Sequence, residues 1–155
     1  MKTRDNIKIC LAVSAGGHAS QLLKLEPCWR GRECFSITTS PAVEEQLAKF
    51  GRVYVVSESN RARPLTTLKV LVSCVRIVLK EKPDFVISTG AAVGCIAGFI
   101  AKLIGTRIIW VDSIANVDKL SLSARLIRPF ADLVLTQWPD VALKYKSVEY
   151  KGHVV

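Results

Sequence analysis

His18, one of only two histidines in the chain, directly follows a glycine pair at the end of a short apolar run, Cys10-Leu11-Ala12-Val13-Ser14-Ala15-Gly16-Gly17-His18. An imidazole titrates near neutral pH and can take a proton from a hydroxyl group. Glycine backbone lets N–H groups approach an anion closely, and a helix beginning there adds its positive N-terminal end. Ser14, Ala15, Gly16, Gly17 and His18 therefore read as a phosphate-binding turn with a proton-transfer group at its mouth. The same glycines also suit a plain tight turn. They do not form the G-x-G-x-x-G dinucleotide fingerprint, because Ser14 and Ala15 replace its opening and Ala19-Ser20 continue the stretch.

Two further polar clusters interrupt apolar runs in the same manner: Ser88-Thr89-Gly90, and Asp112-Ser113 with Asn116 close behind. Asp112 could supply a carboxylate base or could cap a loop or helix, and both readings stand.

The elements that must position these residues follow from the pattern. Ile7 to Val13 is long enough for a buried parallel strand and too short for a helix, with a helix from Ala19 to Leu25 behind it. Glu33 to Thr39 reads as a second strand. Ser40-Pro41 opens a helix reaching about Phe50, and Gly51 stops it before a third strand, Arg52 to Val56. Ser57 to Pro64 is a polar loop. A long helix over Leu65 to Lys80, a strand at Phe85 to Ser88 and a helix over Ala91 to Ile104 follow. Next come a strand at Thr106 to Val111, a helix capped by Ser121 and ended by Pro129, a strand at Asp132 to Leu135, a short helix from Pro139 and a strand at Ser147 to Tyr150. Alternating strands and helices predict one α/β domain over residues 1–155, a Rossmann-like parallel sheet of about seven strands with helices on both faces. In such a sheet the loops at 14–18, 88–90 and 112–113 converge on the carboxyl edge, where ligands bind.

Composition bounds the chemistry. A net charge of +9 in 155 residues implies an acidic partner such as anionic lipid headgroups or a phosphorylated substrate. The cations are spread along the chain with no basic tail and no RNA-binding aromatic signature, which disfavours nucleic acid. Cys10, Cys28, Cys34, Cys74 and Cys95 form no C-x-x-C pair, and three of them sit in apolar runs as small hydrophobes. That usage fits a reducing cytoplasm, and neither a metal nor a cofactor is expected. No secretory signal is expected either, because Met1 to Asp5 is not followed by an apolar core of the right length.

The Leu65 to Lys80 helix is apolar over most of its circumference, while Lys69, Arg76 and Lys80 share one stripe. It fits a helix packed between the sheet and a neighbouring helix. It also fits one lying in a bilayer surface with its cations toward lipid phosphates, and it is too short and too charged to span. Arg61, Arg63, Arg125 and Arg128 read as solvated charges, Trp138 beside Pro139 as a turn packed on the core, and His153 as a tail residue.

Five stretches taken in order, Ser14 to His18, Ser88 to Ala92, Trp110 to Ser113, Leu120 to Arg125 and Gln137 to Asp140, make the chain resemble the asparagine-linked glycosylation 14 family and its bacterial polysaccharide-synthesis relatives. The resemblance runs from Ile7 to Gly152. It implies the amino-terminal, acceptor-side half of a GT-B glycosyltransferase whose donor-binding half is a separate polypeptide, the two forming a heterodimer at the cytoplasmic face of the membrane. Together they would move a sugar from a UDP-sugar, held by the partner, to a polyprenyl-pyrophosphate-linked acceptor. By the same resemblance the catalytic residues are His18, near the attacking hydroxyl, and Asp112, with either of them open as the base, and Ser14, Ala15, Gly16, Gly17, Thr89, Gly90, Ser113 and Asn116 bind the acceptor. The sequence departs from the family at Asp112, where Glu is frequent, and at Asn116, where Arg is. Eukaryotic members carry an amino-terminal anchor that this sequence lacks, so attachment would fall to the Leu65 to Lys80 helix. The segment Lys151 to Val155 lies where it could dock on the donor subunit. A non-catalytic membrane adaptor and a free-standing nucleotide-binding domain are the competing readings.

Overall fold

A computed structural model describes residues 7–57 and 64–154. Arg61 and Arg63, most of the loop that carries them, Met1 to Asp5 and Val155 lie outside the described residues.

Seven parallel strands form one sheet in the order β3-β2-β1-β4-β5-β6-β7. They are β1 (Lys8–Val13), β2 (Glu33–Thr38), β3 (Gly51–Val55), β4 (Phe85–Ser88), β5 (Arg107–Val111), β6 (Leu133–Thr136) and β7 (Glu149–Tyr150). The helices are α1 (Gly17–Lys24), α2 (Glu44–Ala48), α3 (Pro64–Glu81), α4 (Ala91–Leu103), α5 (Leu122–Ile127) and α6 (Pro139–Lys144). The chain winds outward from β1 through β2 to β3, then crosses back through α3 to place β4 on the other side of β1. That reversal leaves a crevice at the carboxyl ends of β1 and β4, the position at which open α/β sheets bind ligands.

Alternation along the strands explains the layering. Ile9, Leu11 and Val13 face Ala19 and Leu22 of α1, Leu47 of α2 and the indole of Trp29. Cys10 and Ala12 face the opposite way, onto α3 and α4, in register with Phe35 and Val86 on the neighbouring strands. Trp110 and Ile108 extend that second face beneath α4, α5 and α6. Leu11 and Trp110 are fully buried, and an aliphatic side chain such as Leu11 contributes about 1.5–3 kcal/mol by leaving water.

Parallel sheet, seven strands and helices on both faces agree with the sequence reading. The differences are local. Ser40 caps as expected by accepting from Ala42 N–H, but the segment begins as a 3-10 turn over Pro41–Val43 and becomes α-helical only at Glu44. The first helix begins at Gly17 and not at Ala19, because Gly16 makes the bend with φ 74°. Helix α3 packs on the sheet and on its neighbour α4 as expected, but its outer face is left uncovered by the described residues. Val70, Cys74, Ile77 and Val78 pack on the sheet and α4, while Leu65, Leu68, Val72 and Leu79 stay exposed. The cysteines are free; Cys28 alone is exposed, and burial pushes the thiols of Cys34, Cys74 and Cys95 up to about 11, which keeps them protonated and inert.

Candidate functional site

Two loops meet at the crevice. β1 ends in Ser14-Ala15-Gly16, and the chain turns directly into α1, so His18 occupies the first helical turn and not the loop before it. β4 ends in Ser88-Thr89-Gly90, and α4 begins at Ala91. His18 Nδ1 lies 2.9 Å from the Thr89 carbonyl, and Thr89 Oγ1 donates to the His18 carbonyl at 2.6 Å. A carbonyl oxygen can only accept, so Nδ1 carries the ring proton and Nε2 is left with a lone pair in the neutral imidazole. No described residue bonds to Nε2.

Both helices start without a side-chain cap. The first N–H groups of a helix have no intrahelical acceptor, and they carry the positive end of its dipole. The crevice thus gathers two bare helix N-termini beside an imidazole. Glycine is required at one of these turns by contact: a Cβ on Gly90 would lie 2.4 Å from His18 Cε1, and its φ is 138°. Ala91 follows with φ 69°, an unfavourable conformation for a residue with a Cβ, and this strain falls at the mouth of the site. Gly94 lets α4 lie close on the sheet, since a Cβ there would meet Ser88 Oγ at 2.0 Å.

The third cluster is built differently. Asp112 is 1% exposed, and its Oδ2 accepts the Ser121 N–H at 2.8 Å while Oδ1 faces Trp110 Nε1 at 3.5 Å. Its carboxylate holds the start of α5 and makes no bond to His18. Ser113 Oγ accepts from Ala115 N–H, and Asn116 N–H donates to the Ser113 carbonyl, so these residues close a tight loop. Ser14 stays at the rim, its hydroxyl 3.4 Å from the Ala15 carbonyl. Among the described residues no group of three His, Cys, Asp or Glu side chains is arranged to hold a metal.

Two buried glutamines, unassigned in the sequence reading, join the clusters. Gln21 on α1 donates to Ser113 Oγ at 3.2 Å and accepts from Ile114 N–H at 3.2 Å and from Gln137 Nε2 at 2.6 Å. Gln137, just past β6, also donates to the Asp112 carbonyl at 3.0 Å. The available signal was weak: an amide beside Leu22 on the apolar face of α1, and another at the carboxyl end of a strand. The segment after β7 lies against the same edge. Val154 N–H donates to Gln137 Oε1 at 2.8 Å, and the His153 ring meets that of Trp138 at 5.7 Å. His153 is thus a contact residue of this edge and not a loose tail residue.

The family model described as "Oligosaccharide biosynthesis protein Alg14 like" matches residues 5–154. The UDP-N-acetylglucosamine transferase subunit alg14 of Schizosaccharomyces pombe is 34% identical over 74% of this chain, and the match spans 58% of that relative's length. The subunit of the same name from Yarrowia lipolytica is 29% identical over 97% of this chain and 82% of its own length. Among solved structures, Acinetobacter baumannii MurG matches with TM-score 0.76 at 18% identity, covering 94% of this chain and 45% of that one. Staphylococcus aureus MnaA, solved with UDP, matches with TM-score 0.74 at 17% identity over 96% of this chain and 45% of its own. The fold is therefore Rossmann-like, and the chain corresponds to somewhat less than half the length of each of those larger chains.

Proposed function

The chain belongs to the Alg14-like family of oligosaccharide biosynthesis proteins, and from that premise we propose that it is the acceptor-binding subunit of a two-chain inverting glycosyltransferase. In this reading a separate donor-binding polypeptide holds the UDP-sugar, and this chain holds a polyprenyl-pyrophosphate-linked acceptor. The names of the relatives make UDP-N-acetylglucosamine the first donor to test.

The observation that carries the reading is the pair of uncapped helix N-termini at the β1–β4 crevice with His18 between them. The pyrophosphate of the acceptor would take the free N–H groups at the starts of α1 and α4, where the dipoles favour negative charge and Gly16-Gly17 leave the backbone open. The acceptor hydroxyl would then lie against Nε2 of His18. As its oxygen bonds to the anomeric carbon and the bond to UDP breaks, its proton passes to Nε2, while Nδ1–H keeps its bond to Thr89 and steadies the imidazolium. UDP leaves with the bonding electrons on the partner's side. Asp112, enclosed by Ser121 and Trp110, organises the loop that carries Ser113 and Asn116.

We assign the chain to the cytoplasmic membrane surface through α3. Leu65, Leu68, Val72 and Leu79 form an exposed apolar strip beside Lys69, Arg76 and Lys80, the composition of a helix that lies in an anionic interface. No helix of the described residues is long and apolar enough to cross a membrane.

The test is sugar transfer from labelled UDP-sugars into polyprenyl-pyrophosphate-linked acceptor, with this chain alone, its donor-domain partner alone and the two mixed. Transfer only in the mixture is expected. Transfer by the partner alone would reduce this chain to an adaptor, and nucleotide binding by the isolated chain would favour a free-standing nucleotide-binding domain.

A further inference from the structure

Ile114 is held from both sides by residues that touch the segment Lys151–Val154. On one side runs a relay of hydrogen bonds through two buried amides. Val154 N–H donates to Gln137 Oε1 at 2.8 Å, Gln137 Nε2 donates to Gln21 Oε1 at 2.6 Å, and that oxygen also accepts Ile114 N–H at 3.2 Å. On the other side Trp138 Nε1 donates to the Ile114 carbonyl at 2.7 Å, and its ring meets His153. With the segment seated Gln137 is 1% exposed and Gln21 8%, so both amides take their partners from the protein. A half-satisfied amide at either position carries a desolvation penalty, and chained hydrogen bonds of this kind polarise one another.

We infer that Gln137 and Trp138 are positioning residues that couple the placement of the segment 151–154 to the geometry of the 113–116 loop. When the segment is seated, both amides are oriented and the Ile114 peptide is clamped between Gln21 and Trp138. When it is lifted, Gln137 Oε1 loses its donor, Trp138 loses the His153 ring, and the loop carrying Ser113 and Asn116 loosens. A protein that binds the segment thereby changes the acceptor-side loop without touching it. The bearing of this coupling on the acceptor rests on the proposed function, whereas the coupling itself belongs to the chain alone.

Amide hydrogen exchange on the full chain, followed residue by residue without substrate, tests it. Val154→Pro removes the donor at the head of the relay, and Val154→Ala keeps it. The expected result is an about threefold to tenfold loss of protection at Ile114 N–H in Val154→Pro, the scale of one hydrogen bond, with wild-type protection in Val154→Ala. A segment that merely covers the sheet face over Val111 and Leu135 would leave Ile114 protection equal in all three proteins, and that result overturns the coupling. Since no sugar donor or acceptor is present, this outcome is independent of whether transfer is found.

Discussion

His18 and Thr89 hold each other twice: the imidazole donates through Nδ1 to the Thr89 carbonyl at 2.9 Å, and the Thr89 hydroxyl donates to the His18 carbonyl at 2.6 Å. The two residues are 71 positions apart, and their reciprocal bonds pin the start of α1 to the loop before α4. The ring is thereby fixed in one tautomer, with its second nitrogen available.

Substituting Gly90 and Gly17, two of the three glycines at this crevice, separates folding from binding. Gly90→Ala forces a Cβ into the His18 ring at a φ of 138°, and backbone strain alone costs about 1–3 kcal/mol, readable as a lower denaturant midpoint. Gly17→Ala meets nothing within 4 Å and shifts stability by no more than about 1 kcal/mol. If the acceptor phosphate approaches the backbone there, transfer by Gly17→Ala falls roughly tenfold, the equivalent of one weakened charge-assisted bond. Wild-type kinetics in Gly17→Ala would remove the anion from this turn.

Transfer by His18→Ala is expected to fall about 10²–10⁴-fold with the fold intact, as for loss of a general base. Asp112→Asn keeps an oxygen facing Ser121 N–H and should retain transfer within severalfold, whereas Asp112→Ala leaves that N–H unpaired and costs about 1–3 kcal/mol of stability. A collapse of transfer in Asp112→Asn matching that of His18→Ala would move the base to Asp112.

Reversing the charge of Lys69, Arg76 and Lys80 to Glu should weaken partition onto phosphatidylserine-containing vesicles by about 10²-fold or more, since each cation near such a surface contributes about 1 kcal/mol. Sedimentation with vesicles reads it directly, and unchanged partition would exclude α3 as the attachment face.

At the amino edge of the sheet, Tyr54 donates to Glu81, which also pairs with Lys8 at 3.0 Å and Arg52 at 3.4 Å. The Tyr54 hydrogen bond, aided by Lys8, holds the Glu81 carboxyl below its ordinary value, and the Glu33 and Glu81 carboxylates hold the Lys8 ammonium above its own. A lowered carboxyl contributes stability that is complete above its unfolded value, about 4.3, and is lost as pH falls through the folded value. A raised amine contributes stability present below about 10.4 and lost as pH rises through its folded value. Glu81→Gln should therefore flatten the acid limb of the melting temperature against pH and weaken the alkaline one. An acid limb identical to wild type would show that Glu81 carries no such linkage.

Much of the architecture was legible because it rests on local signals. The apolar run before Gly16, the matching runs before Thr89 and Asp112, and the alternation of period-2 and period-3.6 segments suffice for a parallel sheet with three polar loops at its carboxyl edge. Ser121 and Ser40 announce their helix starts by side-chain chemistry that acts within three residues. Net charge and the cation stripe of α3 are likewise properties of composition and spacing.

What tertiary structure decided is which polar groups meet and which are spent on structure. Whether Asp112 faces a ligand or a helix start depends on where the chain returns after a nine-residue excursion to Ser121. The bond of His18 to Thr89 exists because β4 returns beside β1 and not beside β3. Gln21 and Gln137, 116 positions apart, gain their role only when α1 and the end of β6 close on the same buried point. Hydrophobic periodicity reports a residue's face from its near neighbours, whereas a buried hydrogen bond needs two groups brought within about 3 Å by the whole path of the chain between them.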